Sequence, residues 1–292
     1  MIRRRRGGPG DVATRLARAE ELTVADGVAA GPLALVAAVL RHHERRAGND
    51  LIRSEATLLG AAVEANRAGA RFPLLDLDAA AGPVMAELDV AVGSLLALGS
   101  TVPEALAGAG RDVVTWSGPD RRELIEAWLD DPSLVEPRLA FWTRVAATPL
   151  LERAVTGLRV PTGEEWHGGA CPLCGGQAQV SVIAEESGEF LGGSPRSLVC
   201  GRCSAWWPFP RAVCAVCGEE DPRNLGSYFA DDSRWVRIDA CQTCHGYVKT
   251  FDLREPGGLA VVPLVDDVAT LMLDIWAGEQ GLARPVPSFA GV

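Results

Sequence analysis

Four pairs of cysteines carry the clearest chemical signal in this chain. All eight cysteines occur as Cys-x-x-Cys, in the pairs Cys171/Cys174, Cys200/Cys203, Cys214/Cys217 and Cys241/Cys244. Two intervening residues let both sulfurs of a pair turn toward one ion, and two such knuckles supply a tetrahedral four-sulfur site. Because a reducing cytosol keeps thiols free, this spacing favours metal binding over a disulfide framework. Eight sulfurs complete two sites, so the sequence predicts two metal ions per chain, iron or zinc.

The intervals between the pairs indicate which cysteines share a site. They contain 25, 10 and 23 residues, and this long–short–long pattern favours two tandem ribbons. The predicted sites are Cys171, Cys174, Cys200 and Cys203, then Cys214, Cys217, Cys241 and Cys244. Gly175 and Gly218 follow the first knuckle of each ribbon, where the turn favours positive φ. Spacing alone does not determine connectivity, so an interleaved pairing of first with third and second with fourth stays open.

Three interpretations compete for these sulfurs. In the first, the metals fold a region that is too poor in apolar core to fold alone, as in zinc ribbons. In the second, iron in a rubredoxin-like site does redox chemistry, because tetrahedral S₄ coordination suits both metals. In the third, the pairs are thioredoxin-type dithiols, but no βαβ pattern surrounds them. Four protein ligands leave no open position for a catalytic water, which argues against hydrolysis at the metal.

The fourth knuckle also fits a haem-attachment pattern. Cys241-Gln-Thr-Cys244-His245 matches Cys-x-x-Cys-His, but that chemistry requires export. The basic run Arg3–Arg6 is followed by Gly7-Gly8-Pro9-Gly10-Asp11 and not by the apolar segment that an export signal needs. We therefore expect a cytoplasmic protein in which His245 flanks a knuckle, and His167 belongs to a linker.

Composition and charge exclude several classes of protein. The chain has 292 residues, of which 48% are hydrophobic and 23% charged, as in globular domains. Its longest apolar run, Leu33–Leu40, is far shorter than the roughly 20 residues that span a bilayer. The net charge is −10, and residues 171–255 contain eight basic and eleven acidic residues. That balance of −3 argues against a further alternative, a ribbon protein that binds nucleic acid.

Residues 1 to about 160 contain no cysteine and predict helices. Asp50 is a candidate cap for a helix reaching Arg67, with a buried face of Leu51, Leu58, Leu59 and Ala62. A helix with Pro83 in its first turn should bury Val84, Leu88, Val92 and Leu95. Another helix should start near Ser117 and bury Leu124 and Trp128. A further helix carries Leu139, Trp142 and Val145.

Two histidines and the C-terminal segment complete the helical pattern. His42 and His43 end an apolar helical stretch, where cations suit the helix dipole. After a turn at Pro256-Gly257-Gly258, a final helix should begin near Asp266 and bury Val268, Leu271, Met272 and Ile275. The chain has no phosphate-binding loop, no nucleophile elbow and no catalytic constellation, so we expect no enzyme activity.

These features predict an α+β protein with four parts. They are a helical N-terminal domain at 1–160, a first four-cysteine ribbon at 165–210, a second at 211–255, and a C-terminal helix and tail at 256–292. The ribbons are expected to be rubredoxin-like or zinc-ribbon modules. The sequence leaves the oligomeric state open, a homo-oligomer included.

The motifs around the cysteines are similar to those of one known family. They are Cys171-Pro-x-Cys174-Gly175, Cys200-x-x-Cys203-x-x-x-Trp207, Arg211-x-x-Cys214-x-x-Cys217 and Ala240-Cys241-x-x-Cys244-x-Gly246-Tyr247-x-Lys249. Val261-Val262-Pro263, Asp266-Asp267-Val268-Ala269, Leu273-Asp274, Glu279-x-Gly281 and the earlier Pro73-Leu74-Leu75 extend the match. On these residues the chain resembles the formate dehydrogenase accessory protein FdhE family. It departs from the family at Phe72, where a proline is usual, and in the tail from Gly281 to Phe289.

The resemblance implies a cytoplasmic, non-catalytic protein that is needed for active formate dehydrogenase. It implies action on the catalytic subunit of that enzyme during maturation. The charge balance and the short apolar runs, separately, predict no nucleic-acid and no membrane partner. It also implies a helical domain followed by two rubredoxin-like modules, in which iron has been proposed.

Overall fold

The structure, a computed structural model, describes residues 11–24, 27–184, 196–230, 233–256, 258 and 261–291. The Arg3–Arg6 run and Gly257 of the expected turn lie outside these described residues. Within them, no helix combines the length and the apolar character that a bilayer span requires.

Helices occupy the first half of the chain. They are α1 (Val12–Thr23), α2 (Ala30–Ala47), α3 (Asp50–Leu59), α4 (Val63–Ala68), α5 (Ala81–Leu96), α6 (Glu104–Val113), α7 (Gly118–Asp130) and α8 (Pro137–Val155). Side-chain caps start several of them: Asp11 accepts from the Thr14 amide, Asn49 from those of Leu51 and Ile52, and Ser117 from that of Asp120. Such caps satisfy amides that have no partner within the helix.

Helix α8 is the centre of the helical region. It packs against α2, α3, α5 and α6, and its Trp142 is fully buried. The indole Nε1 of Trp142 donates to the carbonyl of Leu106 at 2.8 Å. Gly110 in α6 lets the ring approach, because a Cβ there would lie 2.7 Å from it. As predicted, Val145, Leu124 and Trp128 are also buried, and so is the whole α5 stripe: Val84, Leu88, Val92 and Leu95.

The predicted helix from Asp50 to Arg67 was wrong in its cap, in its continuity and in most of its face, of which Leu59 is buried as predicted. Asn49 is the cap, and the helix is interrupted between Leu59 and Val63. Its buried residues are Ile52, Ala56, Leu59 and Val63, whereas Leu51 and Leu58 are 46% and 61% exposed. The predicted face and the observed face both have helical spacing, and packing against α8 selects the observed one.

Among the described residues, six strands form one continuous sheet that contains both predicted ribbons. They are β1 (Ala178–Ile183), β2 (Arg196–Cys200), β3 (Trp206–Phe209), β4 (Leu225–Tyr228), β5 (Val236–Cys241) and β6 (Tyr247–Asp252), in the order β3-β2-β1-β6-β5-β4. Pairing within each three-stranded half is antiparallel. The halves meet where β1 pairs with β6 in parallel, with Val180 opposite Lys249. The α+β architecture is confirmed, with the ribbons fused edge to edge.

The predicted C-terminal helix is two helices, α9 (Pro263–Ala269) and α10 (Leu271–Glu279), which are separated at Thr270. Val268 and Leu271 are buried as expected, but Met272 and Ile275 are 56% and 39% exposed. That part of the predicted stripe was wrong because the break at Thr270 changes the direction of the buried face.

A buried ionic cluster attaches α9 and α10 to the sheet. Nζ of Lys249, the only lysine in the chain, lies 2.8 Å from Asp267 Oδ1 and 2.6 Å from Asp274 Oδ2. Arg284 contacts the same two carboxylates, each at 2.9 Å. Tyr247 donates its hydroxyl hydrogen to Asp274 at 2.8 Å. Two cations and two anions therefore neutralise one another where water does not reach.

Asp267 should make the protein sensitive to acid. Burial alone would raise the pKa of this carboxyl, but Arg284 and Lys249 outweigh it and lower the pKa from 3.8 to about 2. A depressed folded-state pKa stabilises the protein above the unfolded pKa, and this stabilisation is lost as pH falls from about 4 toward 2.

We expect Asp267→Asn to lower the free energy of unfolding at pH 7 by about 3–5 kcal/mol, because Asp274 alone then balances the two buried cations Lys249 and Arg284. The same substitution should flatten the loss of stability between pH 4 and 2, as measured by urea denaturation across that range. Glu126→Gln, which removes the exposed partner of Arg122, is the matched control and should change the stability by about 0.5 kcal/mol or less. Equal effects of the two substitutions would contradict a stabilising role for the cluster.

Candidate metal centres

The structure groups the eight cysteines into two clusters. One contains Cys171, Cys174, Cys200 and Cys203, and the other contains Cys214, Cys217, Cys241 and Cys244, with the sulfurs of each within 4.8 Å of one another. In the first cluster, the Sγ atoms of Cys171 and Cys203 are 3.7 Å apart and those of Cys174 and Cys200 are 3.5 Å apart. In the second, the corresponding separations are 3.9 Å and 3.8 Å. The grouping is sequential and not interleaved.

These separations fit a tetrahedral metal ion. Metal–sulfur bonds of about 2.3 Å at tetrahedral angles place two ligand sulfurs about 3.8 Å apart. Burial, followed by contact with the other three cysteines, raises the pKa of the Cys203 thiol. A raised pKa means that burial disfavours the charged thiolate. Four thiolates in one buried cluster therefore need a cation between them, and each cluster could hold one metal ion.

All four knuckles share one turn geometry. The amide of the first cysteine donates to the carbonyl five residues later, for example from Cys171 to Gly176 and from Cys241 to Gly246. In every knuckle, the residue four positions after the first cysteine has positive φ. These residues are Gly175 at +71°, Ser204 at +58°, Gly218 at +78° and His245 at +54°.

This geometry explains His245, which the haem-attachment pattern had singled out. His245 occupies the left-handed position of the fourth knuckle, a conformation in which histidine is enriched among non-glycine residues. The sequence predicted positive φ at the two glycines, whereas Ser204 and His245 were not identified as their equivalents. His167 is exposed and lies outside both clusters.

The two clusters differ in burial. Cys171, Cys174, Cys200 and Cys203 are each at most 2% exposed. In the second cluster Cys217 is exposed and Cys244 is half-buried. Beside the second cluster, Glu219 accepts hydrogen bonds from Thr243 and Asn224. Both hydrogen bonds lower the pKa of Glu219, and the bond from Thr243 has the larger effect of the two.

The helical region contacts the first cluster directly. The amides of Leu74 and Leu75 donate to the carbonyls of Pro172 and Leu173, both at 2.9 Å. Arg202 in the second knuckle donates to the carbonyl of Trp128 at 2.8 Å. The segment Pro73-Leu74-Leu75 therefore lies against the first knuckle, which gives this motif a structural role beside the cysteines.

A buried ion pair, which the sequence did not predict, strengthens this junction. Arg15 in α1 makes two hydrogen bonds to Glu152 in α8, at 2.6 and 2.7 Å. Ser204 Oγ donates to the same carboxylate at 2.5 Å. Burial opposes ionisation of Glu152, but Arg15 outweighs this effect and its pKa is lowered.

The expected cationic role of His42 and His43 was wrong. Both rings are buried, at 1% and 2% exposure. Burial lowers the pKa of His42 to about 4 and that of His43 to about 3. Nε2 of His43 lies 3.1 Å from the carbonyl of Val145 and donates to it. Both side chains are therefore neutral core residues at physiological pH.

The fold and the cysteine clusters define a class of protein in which a helical region is joined to a sheet bearing two four-sulfur centres. Residues 213–289 match the family model described as FdhE, C-terminal domain. An FdhE homolog of Aquifex aeolicus is 33% identical over 128 residues, 44% of each chain. One from Shewanella oneidensis is 39% identical over 111 residues, 38% of this chain and 34% of that one. These alignments span less than half the length of the curated relatives.

A solved structure has the same fold along almost the whole chain. It is the crystal structure of the FdhE protein from Pseudomonas aeruginosa, with a TM-score of 0.72 and 22% identity, and the likeness covers 98% of this chain and 97% of that one. The predicted resemblance to the FdhE family is confirmed by the match of the C-terminal residues and by the shared fold.

We expect loss of a ligand to affect the two centres unequally. Cys203→Ala and Cys217→Ala should each lower the metal content by one ion per chain. Cys203→Ala should also lower the melting temperature much further, because metal binding contributes folding free energy and the first centre contacts the helices. Elemental analysis and calorimetry of both variants test this expectation. Full metal content in Cys203→Ala would contradict the predicted ligand set.

Proposed function

We propose that this protein is a non-catalytic accessory factor for formate dehydrogenase and that it binds the catalytic subunit of that enzyme in the cytoplasm. One observation carries the proposal: the ordered series of knuckles and flanking motifs, part of which lies within the match to the FdhE C-terminal domain. The motif residues outside the knuckles support it, because Tyr247, Lys249, Asp267 and Asp274 meet in one buried cluster.

In this proposal the cysteines hold the binding surface in shape. Zinc or iron would be held by the four sulfurs of each cluster and would supply cross-links between loops that have little core of their own. The first centre keeps the helical region and the sheet in one orientation through Leu74, Leu75 and Arg202. A partner would then meet a rigid surface that includes both halves of the protein.

Deletion of the gene tests the accessory role. We expect the strain to synthesise the formate dehydrogenase catalytic subunit but to lose most of its activity, and a plasmid copy should restore that activity. The Cys203→Ala variant should restore it poorly because its junction is weakened. Full activity in the deletion strain, with no second copy of the gene, would contradict the proposal.

The exposure of the second cluster favours a second candidate function, a rubredoxin-like redox carrier. An iron site with Cys217 at the surface would be within reach of an electron-transfer partner.

Elemental analysis with a visible spectrum separates the two candidates, on protein purified without oxygen and without added metal. For an accessory scaffold we expect two zinc ions per chain and no colour, because zinc has no redox chemistry and no d–d band. Iron with a reversible thiolate charge-transfer band would instead support the redox carrier, and no metal would contradict both.

A further inference from the structure

A large groove lies between the helical region and the C-terminal segment. Its walls come from α2, α6, α7, α8, the second knuckle and residues 286–291, and its volume is about 610 Å³. Ligand sites in proteins commonly have volumes of about 300–1,000 Å³. Leu35, Leu106, Trp128, Phe141 and Val286 are among its apolar residues. We call this cavity the tail groove.

The charged residues of the tail groove are all arginines. They are Arg138, Arg144 and Arg202, and no aspartate or glutamate of the described residues lines the groove. The whole chain carries 38 acidic and 28 basic residues, so this local sign is opposite to that of the molecule. Arg138 already pairs with Glu136, with Nε 2.7 Å from Oε1. The two other arginines therefore determine what the groove can bind.

Neither Arg144 nor Arg202 has a carboxylate within 4.0 Å among the described residues. Arg202 is 4% exposed and donates to the carbonyl of Trp128, and its Nε has no partner in the described part of the chain. Arg144 is 7% exposed and donates to the carbonyl of Pro287 and to Gln179, and its Nε is likewise without a partner there. Buried cations and unpaired donors are costly, so a site with two of them is suited to an anion.

The first four-cysteine centre, together with Asp267 and Glu152 near Arg144, can offset only part of this cost. Four thiolates around a divalent ion carry a formal charge of −2, and the Arg202 backbone amide lies 3.3 Å from Cys200 Sγ. That charge attracts both guanidinium groups over a distance. It supplies no acceptor to their Nε atoms, and it does not explain the apolar walls of the groove.

We propose that the tail groove binds an apolar peptide segment of the formate dehydrogenase catalytic subunit, with a carboxylate of that segment paired to Arg202 and Arg144. This proposal rests on the proposed function and names the surface that performs it. A carboxylate suits these residues because guanidinium–carboxylate pairs are charge-assisted and directional. The apolar side chains of the segment would lie along Leu35, Leu106 and Phe141.

Binding of the purified catalytic subunit to variants of the full-length protein tests the proposal. Ala140 lines the groove on α8, and Ala140→Trp should block it without touching a cysteine. Arg202→Gln removes the charge and keeps hydrogen-bonding capacity. We expect each substitution to weaken binding by roughly tenfold or more, since a hydrogen bond to a charged group is worth about 1.5–3 kcal/mol. Ala65→Trp, on the exposed face of α4, is the matched control and should bind like the unsubstituted protein.

Overlapping peptides from the catalytic subunit identify the segment. We expect the peptides that bind the unsubstituted protein to be apolar and to contain an aspartate or glutamate, and to lose about tenfold or more in affinity when that residue becomes the amide. Metal content and melting temperature are measured for Arg202→Gln, because Arg202 lies between two cysteines. Ala140→Trp remains decisive if Arg202→Gln loses metal.

The outcomes separate the groove from the function. Unchanged binding of the catalytic subunit by Ala140→Trp would overturn the proposal that the tail groove is the binding site, while leaving the accessory role intact. Binding of the amide peptides as tightly as the acidic ones would overturn the role of the arginines. Absence of binding by the unsubstituted protein would overturn both the groove and the proposed subunit binding.

Discussion

The first four-cysteine centre is the constraint on which the rest of the structure depends. Its two knuckles bring the chain around residues 171–176 next to the chain around 200–205, at the edge of the main hydrophobic core. The helical region then adds hydrogen bonds to those same turns, from Leu74 and Leu75 on one side and from Arg202 to Trp128 on the other. A four-sulfur site at this position holds together two parts of the protein, whereas a site at the tip of a ribbon would hold only its own loop.

A buried ionic cluster attaches the C-terminal helices to the sheet. Lys249 projects from β6 toward Asp267 and Asp274 of the C-terminal helices, and Arg284 closes the cluster from the tail. Ionic contacts of this kind need accurate geometry, because each charge loses its hydration when it is buried. They specify one placement of α9 and α10 where apolar packing alone would allow several. The first cysteine cluster and the buried charge cluster therefore each join the sheet to a neighbouring helical part of the protein.

Much of the candidate site could be predicted from the sequence, because a knuckle is a local structure. Two residues between cysteines and a glycine four residues after the first already define the turn at Gly175 and Gly218. The equivalent roles of Ser204 and His245 could not be seen, since any residue that tolerates positive φ can occupy that position. The parallel pairing of β1 with β6 also could not be predicted, because it joins residues about 70 positions apart and depends on packing and not on local pattern.

The errors at α3 and at the two histidines of α2 have one physical cause. Apolar residues in α3 occur on two faces with helical spacing, and only contact with α8 decides that Ile52 and Ala56 are buried while Leu58 is exposed. His42 and His43 show the same limit for charge, since their positions near a helix end suggest cations but burial makes them neutral. Buried contacts between distant segments thus determine the chemistry of polar residues more strongly than their place in a helix. By the same argument, Arg144 and Arg202 acquire their significance from where the fold buries them, at a junction that no local sequence pattern describes.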